Sequence, residues 1–332
     1  MFRKIKLGLI GFAHRSQYSY ADQFFANPYS EILAASDDDK KRGREGAKKY
    51  NVKWYEDFHE LLIREDIDAV SICSENYKHK EQVLATAKEK KNVLCEWPLA
   101  STIEDCDKIV EATKKSQIKL LVPFRPKYNV ALDGLKDVVE QGAIGDLRAI
   151  YFTLLHSRDI QGSESWLLNP TLAEGGCILD LGSQAIDYLL TVMKDKPERI
   201  YAKAEALTNS KIETSSIITI RFADGSIATT TVSWIGNPTG KWDMVAELLG
   251  FERTIVMDAY HQKLNIYGNK PEKDQGIYWG LREDETIVNT FLKSIIKDED
   301  IHPSGEDFKR VLKLVLAAYG SVETGMPVKI AL

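Results

Sequence analysis

Three stretches of the chain set residues with useful chemistry at useful spacings. The first is Gly8-Leu9-Ile10-Gly11-Phe12-Ala13-His14-Arg15-Ser16, which offers Gly11, Ala13 and Ser16 against the pattern G-x-G-x-x-G. A glycine lets a strand turn sharply into a helix, and small residues at the next two positions admit a pyrophosphate close to the backbone. The second is Asp37, 26 residues after Gly11 and 21 after Ser16. A carboxylate ending a second strand accepts hydrogen bonds from ribose hydroxyls and repels a 2′-phosphate, which favours NAD over NADP. Asp38 and Asp39 add to that repulsion, Lys40, Lys41 and Arg42 follow closely, and the same acidic run suits a helix cap. The third is Ser74-Glu75-Asn76 with His79. Chain order places it at the carboxyl end of a strand, where doubly wound sheets bind ligands.

Such residues need a parallel sheet to hold them, and the first 122 positions supply its pattern. Apolar runs at Ile5–Ile10, Glu31–Ser36, Ala69–Cys73, Val93–Cys95 and Lys119–Val122 read as strands. Amphipathic stretches at Arg15–Ala26, Asp39–Tyr50, Phe58–Ile63, Lys78–Lys90 and Ile103–Lys114 read as helices between them. Near-continuous apolar strands separated by helices predict a sheet covered on both faces. After Pro123 the pattern becomes α+β. A helix is expected over Lys127–Gln141, a strand over Asp146–His156 and a helix over Gly182–Met193. Thr-, Ile- and Val-rich runs at 198–267 predict an antiparallel sheet, with an Asp224-Gly225 turn between Ser215–Phe222 and Ser226–Trp234. Helices over Asp284–Lys297 and Gly305–Thr324 close the chain. The fold class expected is an N-terminal doubly wound domain, residues 1–122, followed by an α+β domain with a large open antiparallel sheet, residues 123–332.

Composition narrows the partners. The chain has 332 residues, 44% hydrophobic and 28% charged, the balance of an ordinary globular protein of about two domains. Its net charge of −5 carries no basic block, so no nucleic-acid partner is expected. Cys73, Cys95, Cys106 and Cys177 show no C-x-x-C spacing and read as buried thiols in a reducing compartment. The N-terminus runs directly into a strand, and no uncharged apolar run approaches the roughly 20 residues of a membrane span. A cytoplasmic protein without membrane contact is expected. The histidines are scattered without ligand spacing, so no metal is expected, and no G-x-S-x-G marks a hydrolase.

Longer matches follow. Asp68-Ala69-Val70 with Ser74-Glu75-Asn76-Tyr77-Lys78-His79 is similar to a "DAV…TPNxxH" element, and Asn92-Val93-Leu94-Cys95-Glu96-Trp97-Pro98-Leu99-Ala100 resembles "hVLCEKPLA". Glu174-Gly175-Gly176-Cys177-Ile178-Leu179-Asp180-Leu181-Gly182 resembles "GGGxxxDxGxH", and Ser304-Gly305-Glu306-Asp307 with Glu323-Thr324-Gly325 resembles a closing helix. All belong to the glucose–fructose oxidoreductase / inositol dehydrogenase / MocA (Gfo/Idh/MocA) family of NAD(P)-dependent enzymes, which the chain resembles nearly end to end. The resemblance implies a Rossmann domain, and a second domain whose open sheet commonly mediates oligomers, here a homodimer or homotetramer. It implies a hydroxylated small-molecule ligand such as a sugar, polyol or inositol. The expected cofactor contacts are Gly11, Phe12, Ala13, His14, Arg15, Ser16, Asp37, Ser74, Glu75, Asn76, His79, Glu96, Trp97 and Arg125.

The match fails at two catalytic positions. The family's EKP lysine is Trp97 here, and its histidine four positions after the aspartate is Gln184. An indole N–H does not titrate and a neutral amide is no general base. If the run from Gly182 is helical, Asp180, Gln184 and Asp187 share one face. The candidates for catalysis are then Asp180, His156, Gln184 and Trp97, or a water. Lys127, Tyr128, His156, Arg158, Trp166, Asp180 and Gln184 are the candidates for holding substrate. Three functions stay open. One is hydride transfer with a non-standard acid or base. Another is a dinucleotide- or sugar-binding protein without turnover. The third is elimination or hydrolysis in which NAD is recycled.

Overall fold

A computed structural model of the chain describes residues 3–162, 164–193, 195–206, 211–235, 243–259, 261, 263–268 and 283–330. In the first third run β1 (Ile5–Ile10), α1 (Ser16–Ala26), β2 (Ser30–Ser36), α2 (Lys40–Tyr50), β3 (Lys53–Tyr55), α3 (Phe58–Leu62), β4 (Ala69–Ile72), α4 (His79–Lys88), β5 (Asn92–Cys95), α5 (Ile103–Lys115) and β6 (Leu120–Leu121). There follow α6 (Val130–Glu140), β7 (Leu147–Leu155), α7 (Pro170–Ala173), α8 (Ser183–Val192), β8 (Pro197–Glu205), β9 (Ser215–Phe222), β10 (Ile227–Ser233), β11 (Asp243–Gly250), β12 (Thr254–Asp258) and β13 (Lys263–Tyr267). The last elements are α9 (Glu283–Lys297), α10 (Gly305–Thr324) and β14 (Val328–Lys329).

These residues form two compact units. One holds the chain up to Pro123, Ile160–Glu174 and the stretch that ends at Lys309; the other holds Phe124–Asp159, the stretch that opens at Gly175, and the chain from Arg310 onward. In the first unit six parallel strands lie in the order β3-β2-β1-β4-β5-β6. The strand order reverses at β1, so the crevice expected of such a sheet opens beyond the carboxyl ends of β1 and β4. Leu7, Leu9, Val70, Ile72, Val93 and Leu94 are fully buried, which is why these strands read as unbroken apolar runs. The edge strand β3 has only three residues, too few to show a period, and was not among the expected strands.

The second unit carries an eight-stranded sheet in the order β13-β12-β11-β7-β10-β9-β8-β14. Its pairs are antiparallel except β7 with β10, which run parallel. The long connection from β7 to β10 is what allows a parallel pair, since a hairpin cannot make one. Alternation is clean in β9: Ile218, Ile220 and Phe222 are buried, while Ile217 and Arg221 face outward. The helix expected over Lys127–Gln141 is a 3₁₀ turn at Arg125–Tyr128 followed by α6, because Asn129 takes an extended backbone and caps the N–H groups of Ala131 and Leu132. Parts of the strand-rich stretch, at 207–210, 236–242, 260 and 262, lie outside the described residues. No described helix is long and apolar enough to cross a membrane.

All four cysteines are buried and unbridged. Burial pushes the Cys95 and Cys177 thiols up and the Cys106 thiol to about 12. Folded protein at pH 8 is therefore expected to leave Ellman's reagent uncoloured over minutes, with four thiols appearing on denaturation. Rapid colour from the native protein would contradict this burial.

Candidate functional site

The turn after β1 has the strain that only glycine accepts. Gly11 sits at φ +77°, and a Cβ there would lie 2.6 Å from the backbone N and Cα of Ser74. The backbone N–H of Gly11 donates to Ser36 O at 2.8 Å and that of His14 to Cys73 O at 3.0 Å. The turn is thereby tied to the ends of β2 and β4. Gln17, fully buried on α1, donates to Ile10 O and Ser71 O and accepts from the Ser71 hydroxyl. A cavity of about 460 Å³ opens beside the turn, lined by Gly11, Asp37, Asp38, Ser74, Lys78 and Gln82 among others.

Asp37 ends β2 with its side chain wholly buried. Its Oδ2 accepts from Phe12 N at 2.8 Å and Arg42 Nε at 2.7 Å, and its Oδ1 from Asp39 N at 2.9 Å and Arg42 Nη2 at 2.8 Å. Burial pushes the carboxyl upward, and the hydrogen bonds from Arg42, Asp39 and Phe12 oppose it without cancelling it. Asp39 is the N-cap of α2, accepting from Lys41 N and Arg42 N, so the acidic run does cap a helix. Arg42 Nη2 also reaches Glu75 Oε1 at 2.9 Å, and Lys78 Nζ joins Asp38 at 2.7 Å to Glu75 Oε2 at 2.8 Å. Burial acts to raise the Glu75 carboxyl, but Lys78 and Arg42 together bring it below the usual range.

The remaining candidates of this unit hold the loops in place. The His79 ring lies between Ser74 O at 3.1 Å and Pro98 O at 2.8 Å, and burial pushes its imidazole below its ordinary value. The Ser74 hydroxyl donates to Gln82 Oε1 at 2.6 Å. Asn76 Nδ2 donates to Ala173 O at 2.7 Å, while its buried Oδ1 has no partner among the described residues. Trp166 donates its indole N–H to Ala13 O at 3.2 Å, with the His14 ring against it at 5.7 Å. Trp97 precedes a cis Pro98, is 1% exposed and packs edge-on against Phe308 at 4.5 Å. Glu96 is buried, Ser16 opens α1, and Arg15 is exposed.

In the second unit the chain from Ile178 makes one π turn to Gly182 and then enters α8. Asp180 is 5% exposed, and its Oδ2 accepts from Arg158 Nη2 at 2.7 Å, Arg158 Nε at 3.1 Å and Trp234 Nε1 at 2.7 Å. Its Oδ1 takes no hydrogen bond among the described residues. Gln184 Oε1 accepts from Arg125 N at 3.2 Å, and buried Asp187 faces Lys127 Nζ at 3.1 Å. Six residues singled out from sequence are thus paired: Asp180 with Arg158, Gln184 with Arg125 and Asp187 with Lys127. Tyr128 is buried nearby in sequence, with its hydroxyl pushed up by desolvation. His156 is half-buried, its backbone N–H bonded to Ser233 O.

Residues 5–124 match the family described as "Oxidoreductase family, NAD-binding Rossmann fold", and residues 133–270 match "GFO/IDH/MocA C-terminal domain". The chain is also 30% identical over 339 residues to the myo-inositol 2-dehydrogenase of Thermotoga maritima, covering 98% of this chain and 97% of that protein. The chain belongs to the GFO/IDH/MocA oxidoreductase family. Among solved structures, levoglucosan dehydrogenase in complex with NADH and levoglucosan superposes at TM-score 0.84, with 21% identity over 99% of this chain and 100% of that one. Aldose-aldose oxidoreductase from Caulobacter crescentus superposes at 0.86, with 19% identity and the same coverage. These two share the fold of this GFO/IDH/MocA chain.

Reading from sequence missed Trp234, Arg42's grip on Asp37, and Glu213. Half-buried Glu213 accepts from Tyr319 Oη at 2.7 Å and from the N–H groups of Gly176 at 3.1 Å and Ile178 at 3.2 Å, fixing the entry to the π turn. The doublet Gly175-Gly176 was the signal, because a Cβ on Gly176 would lie 2.3 Å from Glu213 O. Among the described residues no group of three or more His, Cys, Asp or Glu is arranged to hold a metal ion.

Asp180→Asn removes the carboxylate that faces a guanidinium only 5% exposed. The expected loss is about 3 kcal/mol in urea unfolding at pH 7, with much less than the summed single-variant losses for Arg158→Met, Asp180→Leu together. A loss below about 1 kcal/mol in the single variant would show that the pair does not organise this unit.

Proposed function

We propose that the chain is an NAD-dependent oxidoreductase acting on a secondary hydroxyl of a polyol, inositol or sugar. The observation that carries this reading is the wholly buried Asp37 carboxylate at the end of β2, beside the positive-φ turn at Gly11. The open cavity at that turn and the unpartnered buried oxygen of Asn76 fit a dinucleotide. Gly11 to Ser16 would receive the pyrophosphate, Asp37 the adenosine ribose, and Asn76 a polar edge of the cofactor. The full-length likeness to a myo-inositol 2-dehydrogenase supports the substrate class. Bound there, the nicotinamide supplies hydride donation and acceptance at its C4.

The chain's own contribution is to hold the hydroxyl and take its proton. In this reading Asp180 Oδ1 receives the substrate hydroxyl, while Arg158 and Trp234 fix Oδ2 and so aim the free oxygen. His156 is the second proton acceptor, and Lys127 and Tyr128 orient further hydroxyls. The family's lysine and histidine are absent, with Trp97 and Gln184 in their places, and both replacements are structurally engaged. That engagement favours one rival, a binding protein without turnover. The exposed Tyr151, Ile217 and Ile227 on the outer face of the second sheet support self-association there, for which light scattering should return two or four protomers.

Calorimetric titration with NAD, NADH, NADP and NADPH should give micromolar binding of the NAD pair, lost in Asp37→Ala. A panel of inositols and polyols should then raise absorbance at about 340 nm through reduced nicotinamide. Dinucleotide binding with a silent panel would replace the enzyme reading with the binding-protein one. Turnover of substrate with no net absorbance change would point to recycled NAD.

A further inference from the structure

The charge arrangement beside Asp37 has a component that ribose recognition does not require. Glu75 follows β4 directly, its side chain 10% exposed, and its two oxygens engage Arg42 at 2.9 Å and Lys78 at 2.8 Å. Arg42 is at the same time bidentate on Asp37, and Lys78 is on Asp38. Lys78, Asp37 and Asp38 line the cavity, and Glu75 lies behind that lining as the partner of Lys78. Glu75 and Asp38 are both shared by the two cations, and Glu75 is the buried one of the two, at 10% side-chain exposure against 63%.

Asp37 already accepts four hydrogen bonds, about the capacity of a carboxylate. A ribose hydroxyl can reach it only by displacing Arg42, and Glu75 is placed to keep the displaced guanidinium. A 2′-phosphate would need the opposite: cations free to turn toward it. Here Arg42 faces three carboxylates and Lys78 two, and three carboxylates outnumber two cations. We propose, on the dinucleotide reading above, that Glu75 is the positioning residue that sets this pocket against a 2′-phosphorylated ribose, by retaining Arg42 and Lys78. Removing its charge leaves two cations against two carboxylates and takes one partner from each cation, so that both can turn further toward a phosphate.

The position tolerates the test. Glu75 lies at φ −63° and ψ 145°, values that proline adopts, and the matching position of the TPNxxH element is proline. The experiment is fluorescence or calorimetric titration of NADH and NADPH against the wild type, Glu75→Gln and Glu75→Pro. NADPH binding is expected to tighten about tenfold in both variants, from one charge removed within a few ångströms of the phosphate, with NADH changed less than about twofold. The gain should shrink with added salt and vanish when Arg42→Gln is combined with Glu75→Gln. An unchanged NADPH-to-NADH ratio in either folded variant overturns the proposal, as does a wild type that already prefers NADPH. A wild type that binds neither nucleotide fails earlier, at the dinucleotide site itself, and the proposal falls with it.

Discussion

A carboxylate removed from water must be met by donors, and Asp37 carries that requirement for the first unit. Its side chain is wholly buried, and the donors come from separate pieces of chain: Phe12 in the turn after β1, Asp39 at the start of α2, and Arg42 one turn further on. The Trp54 indole on β3 donates to the carbonyl of the same residue at 3.2 Å. Losing the Arg42 guanidinium would strand that buried charge, a cost of about 3–5 kcal/mol in comparable cases and a large share of a domain's net stability. The turn at Gly11, the end of β2 and the first turn of α2 are therefore fixed relative to one another by a single charge. Asp180 imposes the same logic on the second unit, where the donors come from Arg158 beyond β7 and Trp234 beyond β10.

That logic explains which features could be read from sequence. The strands β1, β2, β4 and β5 were legible because each has an apolar stretch buried on both faces, as at residues 7–10 and 34–35. Asp37 was legible by position, since a fixed distance from Gly11 defines the end of the second strand. Arg42 was not: a Lys-Lys-Arg run at a helix start normally faces solvent, and only the fold turns this guanidinium inward. Arg42 from Glu75, Tyr319 from Glu213 and Trp234 from Asp180 lie 33, 106 and 54 residues away, where no local period reaches. The face shared by Asp180, Gln184 and Asp187 was visible as a spacing of four and three, but the π turn that opens it leaves no mark in that spacing. The parallel pairing of β7 with β10 was equally hidden, because alternation says which face a residue takes and nothing of direction.

The tryptophans show why residue type alone misleads. Trp97 was a candidate for cofactor and catalysis and Trp166 for substrate. The structure gives Trp97 to Phe308, at 1% exposure, and ties the Trp166 N–H to the carbonyl of Ala13. An indole is the largest apolar surface a chain can bury and it carries one obligatory donor, so a packed site with a carbonyl in reach is its ordinary resting place. Trp234 follows the same rule with a carboxylate as acceptor, and that choice bears on chemistry.

On the proposed reading, what catalysis this chain performs depends on direction more than on basicity. Gln184 spends its amide oxygen on the Arg125 N–H, and Trp97 has no titratable atom, so neither residue can move a proton. Asp180 differs because its two oxygens are unequal. Oδ2 is held by three N–H groups from two residues, and that grip leaves the orientation of Oδ1 little freedom. A base whose direction is set before substrate arrives needs less reorganisation in the transition state, the effect that makes a positioned acid or base worth about 10²–10⁴ in rate. Removing the Trp234 donor alone tests that hold: Trp234→Phe loosens the carboxylate's direction while leaving its Arg158 donors in place.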